Sequence, residues 1–317
     1  MSRTPEPPPD PSTVRFPGPW THRDVSANGI RLHVAEAGDG PLVLLLHGFP
    51  EFWGAWQHHL VALPAAGYRA VAVDLRGYGD SDKPPRGYDG WTLAGDIAGL
   101  IKALGERRAH LVGHAGGGLI AWTVATLHSR LVRSVTAVAA PHPLALRRAA
   151  WRGVLRRRDS QARALGQVFA AQVPMAPERG LVAERADRVE KLLRGWSGPR
   201  WPASETFAGV AAADRAAMLV PGVAHSALEY FRWAVRSQAR SDGRRYTEEM
   251  DRRVTVPVLQ IHGAADPYLL ESSALASREW LGPRAVYRSL AEVGHFPHHE
   301  APETVTDLLV EFLDRLD

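Results

Sequence analysis

Two side chains, Asp266 and His295, carry the best-defined chemistry in this sequence. Asp266 stands in Gly263-Ala264-Ala265-Asp266-Pro267, just after the apolar run Val258-Leu259-Gln260-Ile261. His295 stands in Val293-Gly294-His295-Phe296, just after the run Ala285 to Leu290. An aspartate that accepts a hydrogen bond from one imidazole nitrogen fixes the tautomer and makes the other nitrogen a better base. Either residue alone in a loop is usually structural; both at strand ends, behind a third site, form a dyad. The third site is residues 109–118, Ala-His-Leu-Val-Gly-His-Ala-Gly-Gly-Gly. Leu111-Val112 leads into the turn Gly113-His114-Ala115-Gly116-Gly117, and a helical pattern from Leu119 to Ala125 follows. A Gly-x-nucleophile-x-Gly turn between strand and helix holds its central residue in a strained conformation. Its flanking residues must be small, because strand and helix nearly touch. The central residue here is Ala115, which has no nucleophilic atom.

The elements that must hold these residues alternate. Arg23–Ala27 and Ile30–Ala37 read as strands around Asn28-Gly29, a strong hairpin signal. Pro41 to Leu46 is a short apolar run of the kind buried on both faces, and it ends in His47-Gly48-Phe49-Pro50-Glu51. A helix is expected over Trp53–Leu63 and a strand over Arg69–Leu75. Another helix follows over Thr92–Leu104, with Thr92 as its N-cap, then a strand over Ser134–Ala139. The alternation breaks at Pro141. Residues 142–249 are helical, Arg/Ala-rich and contain tryptophan, and alternation resumes at Pro257 with a helix near Leu270–Trp280 and a C-terminal helix from about Ala301. The expectation is an α/β fold, a mostly parallel sheet flanked by helices, with an inserted helical cap over the strands' carboxyl ends, where such folds bind ligands. The expected divisions are an extended, disordered Pro-rich tail over 1–21, core over 22–140, cap over 141–250 and core over 251–317.

Composition narrows the chemistry. The 317 residues include no cysteine, which excludes disulfides, thiolate metal sites and cysteine nucleophiles. Of 38 basic residues only Lys83, Lys102 and Lys191 are lysine, a bias of the kind a GC-rich genome produces. The run from Arg147-Arg148 to Arg156-Arg157-Arg158 reads as a solvated helix face, although an anionic surface would also suit it. No apolar run approaches the length of a membrane span, and residues 1–19 carry seven prolines and no signal-peptide core. A cytoplasmic location is the default expectation. No nucleic-acid module, phosphate loop, dinucleotide fingerprint or metal-ligand spacing is present, so no cofactor, metal, nucleic acid or membrane partner is expected. Trp151, Trp196, Trp201, Phe231 and Trp233 in the cap make a small apolar molecule the expected partner, on a monomer or homodimer.

His47 to Glu51, Asp74-Leu75-Arg76-Gly77-Tyr78-Gly79-Asp80-Ser81, Gly113-His114, Asp266 and Gly294-His295-Phe296 together resemble the epoxide-hydrolase-like branch of the α/β-hydrolases. The resemblance runs from about residue 22 to the C-terminus and implies the α/β-hydrolase fold with triad order elbow, acid, histidine. Epoxide hydrolases of this branch carry Gly-His-Asp-Trp-Gly at the elbow. Their aspartate forms an ester that a water, activated by the His–Asp pair, then cleaves. The matching positions here are Ala115 and Gly116. The resemblance implies an oxyanion hole from the backbone at Phe49 and Gly116, in a loop compatible with a cis Phe49–Pro50 bond. It also implies two cap tyrosines that donate to the epoxide oxygen. Phe231 stands at one of these places, with Tyr230 beside it but about 100° away on a helix, and Gln167 stands at the other. His47, Pro50 and His114 join Gln167, Tyr230 and Phe231 as the implied substrate contacts. Three readings follow: an enzyme using the dyad as general base without a covalent intermediate, a non-catalytic binder, or a hydrolase altered at residue 115. The paired departures at 115 and 231 argue against the third, and a binder has no need to keep a poised base.

Overall fold

The computed structural model describes residues 9–154 and 160–316. Asn28 and Gly29 both take positive φ (48° and 78°), as a two-residue hairpin turn requires. They join β1 (Thr21–Ala27) and β2 (Ile30–Ala37) in antiparallel register. β3 (Leu42–Leu46) and β4 (Arg69–Val73) follow, then β5 (Ala109–His114), β6 (Val132–Val138), β7 (Val258–Gly263) and β8 (Ala285–Leu290). They form one sheet in the order β1-β2-β4-β3-β5-β6-β7-β8; from β4 through β8 every pairing is parallel. Every residue of β3, β5 and β7 is buried, as in parallel strands covered on both faces, and β3 is apolar throughout. The edge strand β8 is half-buried to exposed along its length.

Three helices cross between the first strands: α1 (Gln57–Ala65), α2 (Gly90–Ala103) and α3 (Ala115–Leu127). A 3-10 turn, Trp53–Trp56, leads into α1. Thr92 is not the N-cap of α2. Asp89 is, and its carboxylate accepts from the Thr92 N–H at 2.9 Å and from the Thr92 hydroxyl at 2.8 Å. An aspartate one turn earlier competes better for the free N–H groups of a helix start.

The proline-rich start corrects another expectation. Residues 1–8 lie outside the described part, but Pro11–Val14 forms a 3-10 helix capped by Asp10. Val14 is fully buried, and its carbonyl accepts from the Trp53 indole at 2.9 Å. Phe16 packs edge-on against Phe52, and Arg15 pairs with Asp24 and Asp80. Three anchors, Val14, Phe16 and Arg15, outweigh a composition that reads as extended chain.

Between β6 and β7 the chain is helical. The helices are α4 (Pro143–Val154), α5 (Gln161–Ala164), α6 (Gly166–Ala170), α7 (Ala176–Trp196), α8 (Glu205–Met218), α9 (Val223–Arg236) and α10 (Ser241–Met250). Within α7, Glu184, Arg185 and Ala186 take left-handed φ, so the segment is two helices across a kink. On α4, Arg148 pairs with Glu279 at 2.6 Å and Arg147 donates to Thr247. Arg156–Arg158 lie outside the described residues. The chain ends with α11 (Glu271–Ala276), α12 (Pro297–Glu300) and α13 (Pro302–Asp314). Among the described residues no single helix is long and apolar enough to cross a membrane.

Candidate active site

β5 runs directly into α3 with no intervening loop, and Ala115 is the turn residue, with φ 43°. That conformation costs an L-residue about 1–2 kcal/mol, so tight packing must impose it. The packing is visible at two glycines. A Cβ on Gly117 would lie 2.3 Å from the carbonyl oxygen of Leu46 in β3. A Cβ on Gly48 would lie 3.1 Å from the Ala115 methyl. The loop after β3 therefore rests on the turn after β5. The Phe49–Pro50 bond in that loop is cis. Phe49 has an N–H that donates to no described acceptor, and Gly116 lies in the first turn of α3, where N–H groups have no intrahelical partner.

The loops after β7 and β8 bring Asp266 and His295 together. His295 Nδ1 donates to Asp266 Oδ2 at 2.8 Å, and both side chains are fully buried. Asp266 Oδ1 accepts from the Tyr268 and Leu269 N–H groups at 2.8 and 2.9 Å, which aims the carboxylate. His295 Nε2 is buried and has no partner among the described residues. With Nδ1 as donor, Nε2 carries the lone pair. A second buried pair, His33 with Asp74 at 2.7 Å, differs: its other ring nitrogen is bonded to His22 at 2.9 Å. The cap closes over His295. Trp196 accepts the His295 N–H on its carbonyl at 2.8 Å and stacks on Tyr268 at 4.0 Å, and both rings meet the imidazole edge-on.

Behind the turn lies a second cluster. His114 Nδ1 donates to Glu51 Oε2 at 2.6 Å, and His114 Nε2 donates to the carbonyl of His295 at 2.8 Å. Both partners only accept, so His114 is an imidazolium. Burial alone would lower its pKa, but the Glu51 charge and these bonds hold it above the ordinary value. Burial pushes Glu51 up, yet His114 and His298 hold it well below the usual carboxylate range. His298 Nε2 donates to Glu51 Oε1 at 2.8 Å. The ligand atoms of Glu51, His298 and His299 lie within 4.8 Å of one another, a spacing that suits a cation. However, the Glu51 charge is already balanced by His114 and its second oxygen is bonded to His298, so the group reads as a closed ion-pair network.

The expected substrate contacts divide. Phe49, Gln167 and Phe231 share a cleft of about 260 Å³ with Leu181, Arg188 and Leu228. Phe231 meets Phe49 edge-on at 5.0 Å. The polar atoms of three others face the protein. His47 bonds the Gly48 carbonyl and the Leu75 N–H, His114 is spent on Glu51 and His295, and the Tyr230 hydroxyl donates to the Arg76 carbonyl at 2.7 Å. Each satisfies a backbone group or charge that folding would otherwise leave unpaired. Pro50 is buried beside Phe49. Among the cap aromatics Trp196 reaches His295, Trp201 stacks on His299, Trp233 packs on Tyr246, and Trp151 is exposed.

Sequence reasoning assigned no part to Glu51, His298 or Glu300. Glu300 accepts from Gly294, Phe296 and the cap residue Gly198, tying the His295 loop to the cap. One signal was available: Glu51 stands among apolar residues next to a cis-proline loop, and a carboxylate there needs a buried cation.

The α/β-hydrolase fold family model matches residues 41–302. The AB hydrolase superfamily protein YfhM of Bacillus subtilis is 33% identical over 91% of this chain and 96% of its own length. Epoxide hydrolase A of Mycobacterium tuberculosis is 30% identical over 95% of this chain and 99% of its own. The crystal structure of epoxide hydrolase A from Mycobacterium thermoresistibile superposes with a TM-score of 0.78 at 26% identity, over 93% of this chain and 98% of that one. The chain belongs to the α/β-hydrolase fold family, and its relatives along nearly its whole length include epoxide hydrolases.

Proposed function

We propose that this chain is a hydrolase-class enzyme in which His295, oriented by Asp266, acts as general base on a small apolar substrate without a covalent intermediate. The observation that carries this reading is the buried, unpartnered Nε2 of His295 beside an Nδ1 committed to Asp266. A buried nitrogen without a partner costs stability, and a fold retains that cost most readily where the atom is used. The strained φ of Ala115 supports the reading that residue 115 stands where relatives carry a nucleophile. An alanine there cannot form an ester, so the base acts directly, on water or on a substrate proton.

Metabolite capture on the purified protein, with mass spectrometry of what binds and what changes, identifies a substrate. His295→Ala should then lower turnover by about 10⁴-fold while leaving binding mostly intact, because a base acts chiefly in the transition state. Asp266→Asn should cost nearly as much by favouring the wrong tautomer. Unchanged turnover in His295→Ala sinks the proposal and leaves the binder reading. Simple aryl epoxides should show no turnover above background, and intact mass should show no ester adduct.

A further inference from the structure

The cleft in front of Phe49 is lined by apolar residues except for Arg188 and Gln167. Phe49, Phe231, Leu228 and Leu181 form its walls, and Arg188 and Gln167 close one side. The Arg188 guanidinium donates to the Gln167 side-chain carbonyl at 3.1 Å, and it forms no ion pair with any described residue. Several acids near it are committed. Asp187 pairs with Lys191 at 2.6 Å, and Glu178, next in the chain to the cleft residue Pro177, pairs with Arg232 at 2.7 Å. Glu229, on the helix that carries Phe231, also pairs with Arg232. Arg188 is thus a cation at the edge of an apolar wall with one neutral acceptor for its five donors.

We propose that this cleft binds an apolar molecule carrying one carboxylate, with Arg188 and the Gln167 amide taking the carboxylate and the apolar end lying against the wall that Phe49 and Phe231 form together. A planar guanidinium matches a carboxylate by two parallel hydrogen bonds. One guanidinium balances a monoanion, whereas a phosphate dianion would keep an unpaired charge beside apolar walls. The Gln167 carbonyl orients the fork, and its amide N–H₂ remains available to the second carboxylate oxygen. Phe49 lines the cleft and follows Gly48, which packs against Ala115, so in the proposed pose the reacting group is on the end of the ligand away from the carboxylate. The inference rests on the proposed function in taking this cleft as the entrance to His295.

Isothermal titration with 4-phenylbutyrate, its methyl ester and 4-phenylbutan-1-ol tests it without turnover. The acid should bind about tenfold tighter than the ester or alcohol, the scale of one charge-assisted contact at a partly exposed site. Arg188→Gln should erase that preference and leave ester and alcohol affinity unchanged, and Arg188→Lys should retain part of it. Arg188 is exposed, so these variants should fold as the parent does. Equal affinity for acid and ester, no binding of any probe, or an acid preference that survives Arg188→Gln overturns the proposal. A chain that prefers the acid through Arg188 but loses no turnover in His295→Ala would overturn the proposed chemistry and leave this site standing.

Discussion

Two histidines whose rings lie 4.8 Å apart meet opposite fates on the two sides of the turn at Ala115. Behind it, His114 has both nitrogens bonded, carries a proton on each, and serves as counter-ion to Glu51. In front, His295 has one nitrogen bonded to Asp266 and one bonded to nothing described. Side-chain type is the same and burial is complete in both. What differs is the number of acceptors each ring meets, and between these two rings that separates a structural cation from a candidate base. The hydrogen bond from His114 Nε2 to the carbonyl of His295 joins the two sides, so the rear cluster also positions the front one.

The comparison can be broken hardest from behind. Glu51→Ala leaves an imidazolium buried without its anion and should cost about 3–5 kcal/mol by urea unfolding. Adding His114→Leu should return a good part of that loss, because the stranded charge is then gone. If the double variant is as unstable as the two single losses added together, the rear cluster is not an ion pair.

From the front, Ala115→Asp restores a carboxylate at the turn but not the cap donors. One absent donor to a developing oxyanion is worth about 3 kcal/mol, so the single substitution should stay nearly inactive on epoxides, and Phe231→Tyr added to it should help. Full epoxide turnover from Ala115→Asp alone would show that no cap donor is missing.

Acid should distinguish the buried histidines from the paired ones. Burial lowers His59 and His142 to about 3 from an ordinary value of 6.5, so both are neutral in the fold and charged in the acid-unfolded chain. The unfolded state binds these protons first, and stability should fall as pH drops below about 6.5 and keep falling toward 3. Glu51, held low, adds a loss at the acid end as pH falls through its folded pKa. His114, held high, contributes a term that is complete in acid and is lost as pH rises through its raised pKa. A melting temperature that is flat between pH 6.5 and 4 would contradict this assignment.

The smallest expected effect concerns the strain at the turn. Ala115→Gly relieves a left-handed alanine at the expense of a more flexible unfolded chain, for a net gain of about 0.5 kcal/mol. A loss of 1 kcal/mol or more would mean that the methyl group's packing outweighs the strain.

Much of this was legible residue by residue. The hairpin at Asn28-Gly29, the doubly buried run of β3, the turn into α3 and the order Asp266 then His295 all follow from local chemistry, because turn type, burial period and strand-end position are written in neighbouring residues. The N-terminal segment was misjudged for the complementary reason. Its prolines describe local stiffness, whereas Val14 and Arg15 are ordered by Trp53, Asp24 and Asp80, partners that a local reading does not supply. The three displaced expectations, His47, His114 and Tyr230, have the same cause: each finds a backbone group brought by a distant loop.

By itself the sequence determined where a strand, turn or helix must form and which residue types stand at strand ends. It has fourteen histidines, and of these the strand-end setting singles out His295 without showing what its second nitrogen meets. Only the tertiary structure decided that His114 meets Glu51, 63 residues earlier, and that His295, paired with Asp266, keeps its Nε2 free of any described partner. Protonation follows the partners that folding delivers, because a buried imidazole exchanges water for whatever donors and acceptors surround it.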